Sequence, residues 1–134
     1  MILSHLAAVT LVVTAATGPL VEPSVSHLSL QQRGAATRIF MRSATECIVR
    51  SVAADSRFRK DEPAANLGDL IVDAVPKCLA AVRAMIDAHD RYFGEGSGEV
   101  FFMGAYLDAL PDAVIKAIEK SGDAAGPVQV HETK

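Results

Sequence analysis

Two cysteines and one histidine have the strongest claim to chemistry in this chain. Cys47 and Cys78 are its only cysteines. No CxxC brings them together, so a redox-catalytic pair is not expected. The pair fits one structural disulfide, and the competing reading is two buried thiols acting as small hydrophobes. His89 is the histidine that falls on a strong apolar helical face, with Asp87, Asp90 and Glu95 nearby. A base or metal role there lacks a second ligand one helical turn on, because residue 93 is Phe. The expectation is a histidine satisfied by its own helix, with no metal site assigned.

The glycines Gly94, Gly96 and Gly98 alternate, but they do not make a phosphate cradle. The stretch has no GxxxxGK[ST] pattern and carries Glu95 and Glu99, which would repel phosphate. A calcium loop starting at Asp90 needs an acid or amide at residue 92, which is Tyr. Neither GxSxG nor HExxH occurs. The sequence therefore assigns no catalytic residue and no cofactor, and favours a non-enzymatic role.

Phe101, Phe102, Met103 and Tyr106 form the densest aromatic group. They read first as a lid over packed helices, and second as an interaction surface for a protein or small ligand. Arg38 and Arg42 mark a second candidate surface. Residues 33–60 are basic, with seven Arg and Lys against Glu46 and Asp55, whereas residues 61–134 are predominantly acidic. Such halves attract one another internally. No aromatic residue interleaves the arginines, so nucleic acid is not expected.

These groups need a scaffold, and the composition says which kind. The chain has 134 residues, half of them hydrophobic, with 5% aromatic and no Trp. An aliphatic core of that size suits one domain of packed helices. A first helix is predicted from near Ser29 to Phe58. Its inner stripe is Phe40, Ala44, Cys47, Ser51, Ala54 and Phe58, and Glu46 pairs with Arg42 and Arg50 on the outer side. A second is predicted from Leu67 to Phe93, capped by Asn66 and disturbed by Pro76 near Val75. Its inner face reads Leu67, Ile71, Ala74, Cys78, Val82, Met85, His89 and Tyr92. On its outer face Asp73 pairs with Lys77 and Asp87 with Arg91.

If the connection centres between Glu62 and Pro63, Cys47 stands opposite Cys78 in the antiparallel hairpin. Ala44, Ser51, Ala74 and Ala81 are small enough for the helices to approach to disulfide distance. The same register sets Phe40 against Met85. A Gly-rich loop should follow at 94–98, then a short turn. A last helix is predicted to start at Pro111, with Asp112 in its first turn, and to stop at Gly122. The fold class is therefore all-α: a disulfide-linked hairpin with a Gly-rich loop and short C-terminal helices packed on it.

The flanks complete the organisation. Residues 2–16 are almost wholly apolar or small, and Gly18 and Pro19 end the run. That run has the length of a signal-peptide core and is short for a membrane span. Residues 1–16 are read as a signal peptide cut after Ala16. No Lys or Arg precedes the run, which keeps a retained anchor or a buried N-terminal helix as alternatives. Residues 17–29 read as linker, 30–122 as the helical domain and 123–134 as a disordered tail.

The expected role is an exported binding or structural protein of the cell envelope, periplasmic or secreted. One alternative is a small envelope enzyme or metal-binding protein using His89 with neighbouring carboxylates. The other is a membrane-anchored accessory protein, which would touch the membrane only if the N-terminal segment were retained.

Overall fold

A computed structural model describes residues 25–124, and every regular element among them is helical. Residues 1–24 and 125–134, which include the predicted signal segment and most of the predicted tail, lie outside the described residues. After a 3₁₀ turn at Val25–His27, α1 runs Leu30–Ala53. Its start is fixed by a reciprocal capping box. Ser29 Oγ accepts from the Gln32 amide at 3.2 Å, and Gln32 Oε1 accepts from the Ser29 amide at 2.8 Å.

The predicted extension of α1 to Phe58 does not form. The helix ends at Ala53, and Asp55 explains why. Its carboxylate accepts from the Arg57 backbone amide and guanidinium, both at 3.0 Å, offering the chain a local alternative to helical hydrogen bonds. Arg57 also reaches Asp73 at 2.7 Å, tying the end of α1 to the next helix. Asp73 thus pairs with Arg57 instead of Lys77. Neither the Glu46 pairs nor Asp87–Arg91 forms an ion pair among the described residues.

The second arm is split as Pro76 demands. Helix α2 covers Leu67–Ala74, a 3₁₀ turn covers Val75–Cys78, and α3 covers Leu79–Phe93. Proline lacks the amide that would continue the ladder, and the chain tightens through it. Asn66 does occupy the capping position, but in the left-handed region and without a side-chain cap bond.

Gly94, with φ 115°, ends α3. A helical turn, α4 (Ser97–Phe101), follows, so the last two residues of the predicted glycine loop, Ser97 and Gly98, are helical. The chain passes through a wide π turn at Phe102–Tyr106 into α5 (Leu107–Ala124). Pro111 lies inside α5, not at its start, and the helix continues through Gly122. Leu110 and Val114 are both fully buried, one turn apart on either side of Pro111. Burying both on one face rewards a continuous helix over the local cost of the proline.

The core gathers three faces. Helix α1 gives Ala44, Ile48 and Val52; the second arm gives Leu67, Leu70, Ile71, Ala74, Cys78, Val82 and Met85; the last gives Tyr106, Leu110 and Val114. Helix α1 packs on α3 along one flank and on α5 along the other. Its buried face is therefore turned toward Ile48 and Val52, and the predicted stripe through Cys47 and Ser51 lies at its edge. Phe40 stays exposed and shares a recess with Ala84 and Ala88, whereas Met85 is buried. Among the described residues no helix is long and apolar enough to cross a membrane.

Candidate functional site

The cysteine pair closes as the register predicts. Cys47 and Cys78 are bonded, with Sγ–Sγ 2.05 Å and Cα–Cα 5.8 Å. Cys78 is buried, being the last residue of the 3₁₀ turn and the residue preceding α3. Cys47 sits at the edge of α1's inner face and is half-buried. Ser51 Oγ lies 3.5 Å from Cys78 Sγ. The small residues that flank the pair allow this approach, which is closer than ordinary helix packing.

The densest constellation lies where α3 turns into α4. The glycine turn swings Ser97 back toward the helix it has left, and Ser97 Oγ comes within 2.8 Å of His89 Nδ1. The His89 ring stacks on Phe101 at a centroid distance of 4.6 Å and 12°, and packs against Phe93 at 4.6 Å. Enclosure between these rings disfavours the charged imidazolium and lowers the histidine's pKa, partly opposed by the nearby Asp90 carboxylate. His89, Phe93, Glu95, Ser97 and Val100 line an open recess of about 640 Å³.

A hydroxyl beside a neutral imidazole is the first half of a nucleophile–base pair. The second half of that machinery is committed elsewhere. The Gly98 amide donates to Asp90 Oδ1 at 2.6 Å, and the Ser97 amide donates to the Gly94 carbonyl. The two nearest backbone donors are thus not aimed at an oxyanion. Asp90, the nearest carboxylate, is spent at the start of α4 and does not orient the imidazole. What the arrangement does is fasten α4 to α3. No group of three or more His, Cys, Asp or Glu side chains among the described residues is placed to hold a metal.

The predicted aromatic surface divides. Tyr106 is 5% exposed and belongs to the core, its hydroxyl 3.0 Å from Thr45 Oγ1. Burial raises its pKa. Phe101 and Phe102 are partly buried against the core, Phe102 stacking on Tyr106 at 5.8 Å. Met103 alone of the four points outward, at 64% exposure. It has Val100 one turn before it, at 76%, and Phe93 is 38% exposed. Arg38 and Arg42 are exposed on α1.

Sequence reasoning missed Ser97 and Phe93 as members of this end of the molecule. The signal was faint. Ser97 lies beyond the end of the helix that carries His89, and only the turn at Gly94–Gly96 brings it back. No family model, no curated protein and no solved structure matches the chain, so these residues themselves carry the functional reading.

Proposed function

We propose that this chain is an exported, disulfide-stapled helical binding protein. Its partner meets the ridge of Val100 and Met103, with Phe93 beside it and Arg38 and Arg42 supplying charge on α1. The ridge is the observation that carries the reading. Two large apolar side chains one helical turn apart stand more than 60% exposed, on a turn held rigid from beneath by Phe101, Phe102 and Tyr106. Leu30, Ile39 and Val72 are as exposed, but Val100 and Met103 stand together with Phe93 also exposed, and adjacent exposed apolar groups are a mark of an interaction site. The engagement of His89, Ser97 and Asp90 in holding α4 supports a binding role over a catalytic one.

Export rests on two features. One is the apolar segment at residues 2–16 followed by Gly18 and Pro19. The other is the Cys47–Cys78 bond, because such bonds persist in oxidising compartments. Retention of the segment would make the same protein membrane-anchored, and the intact mass of the native chain separates the two forms.

The test of binding is site-specific photocrosslinking in native cells. A crosslinker at residue 103 or 100 is expected to give one discrete adduct, absent when it is placed at the exposed control position Lys120. Equal labelling from all three positions would sink the reading.

A further inference from the structure

Beside the last turns of α1, a second feature stands apart from the aromatic ridge. A cleft of about 520 Å³ opens between α1 and the C-terminal half of α5. Val49, Phe58, Ile115 and Ile118 form its walls, each partly buried against the core with its remaining surface turned to the cleft. Arg50 and Lys60 also line it, against one acid, Glu119.

Two of the basic residues at this end are paired with acids. Arg57 is matched by Asp55 and Asp73, and Arg59 by Asp61. Arg50 and Lys60, the two that line the cleft, form no ion pair among the described residues. Arg57 and Arg59 do not line the cleft. An apolar cleft of this size with a few charged groups at its border has the make-up of a small-ligand site.

We propose that the cleft binds a fatty acid. The alkyl chain lies along Val49, Phe58, Ile115 and Ile118, where it removes apolar surface from water. The carboxylate is held between Arg50 and Lys60, where charge-assisted hydrogen bonds replace its hydration. Glu119 works against a carboxylate, so the two cations must outweigh it. This site is independent of the Val100–Met103 ridge and of export.

Isothermal titration of the full chain with sodium dodecanoate below its micelle concentration tests the site. Saturable one-to-one binding is expected, with dodecyltrimethylammonium at least about tenfold weaker. The double variant Arg50→Glu/Lys60→Glu should lose about tenfold or more in dodecanoate affinity. Ala53→Phe, at an exposed residue lining the cleft, should abolish binding by filling it. All three positions are exposed, so helical circular dichroism and an intact Cys47–Cys78 bond verify that each variant is folded. Equal affinity for the anionic and cationic chains, or undiminished binding in both variants, overturns the proposal. So does the absence of saturable binding to the full chain, which leaves the cleft to the chain's own C-terminal residues or to a second copy.

Discussion

The backbone of Gly98 runs directly against the backbone of Ile86, leaving no room for a side chain between α4 and α3. A Cβ at residue 98 would collide with the Ile86 carbonyl. This contact lets Asp90 cap the Gly98 amide and lets Ser97 reach His89. Gly98→Ala should therefore destabilise the fold by about 1–3 kcal/mol, the usual cost of forcing atoms into a packed contact. Gly34, inside α1, has nothing within 4 Å of its absent Cβ and an ordinary backbone. Gly34→Ala should stabilise by about 0.5–1 kcal/mol through helix propensity. Urea denaturation of the two variants checks the pair, and similar shifts in the same direction would refute the close approach.

The disulfide closes a loop across 31 positions. In the chain-entropy model such a loop is worth about 3.5–4 kcal/mol. The double variant Cys47→Ala/Cys78→Ala should lose stability of that order in urea, with its helical circular dichroism retained at low temperature. Non-reducing mass mapping of the native protein should find the two cysteine peptides linked. Free thiols on both in the native compartment would remove the bond as a structural element and, with it, one of the two supports for export.

The hairpin was legible because its signals are local and periodic. Small residues around Cys47 and Cys78 lie in step on two helices, and Pro76 announces its own break. The inner face of α1 was only half legible. A stripe through Phe40, Cys47 and Phe58 suits a helix with one partner, but α5 covers the other flank and draws Ile48 and Val52 inward. That second partner is a tertiary fact with no local signal. Pro111 misled for a related reason, since the burial of Leu110 and Val114 outweighs the local preference. The candidate site was less legible still. Ser97 meets His89 through a turn, and Tyr106 proved to be core because Thr45, far away in sequence, receives its hydroxyl.

The Thr45–Tyr106 contact has an assignable direction. Thr45 Oγ1 donates its one proton to the Met41 carbonyl at 2.9 Å, so the Tyr106 hydroxyl donates to Thr45 at 3.0 Å. The two deletions should then be unequal. Tyr106→Phe takes away a donor and leaves Thr45 bonded to Met41, costing about 0.5–1.5 kcal/mol. Thr45→Val strands a buried phenol without its acceptor, costing about 1–3 kcal/mol. A double-mutant cycle in urea measures the coupling, and equal single costs would contradict the assigned direction.

The enclosure of His89 makes stability depend on pH in one direction. Burial between Phe93 and Phe101 lowers its pKa in the folded state below the ordinary value of 6.5. The unfolded chain therefore takes up the proton first as the pH falls. Between 6.5 and the lower folded value the unfolded state binds more protons, so stability falls with falling pH. Above 6.5 both states are neutral at this site and the contribution is complete. Thermal melts from pH 8 to pH 5 should show the melting temperature begin to drop near pH 6.5. His89→Gln, which keeps a polar group for Ser97 but does not titrate, should flatten that drop while lowering stability at pH 8 through lost ring stacking. A drop of the same size in the variant would place its origin in other groups and show that His89 is not sequestered.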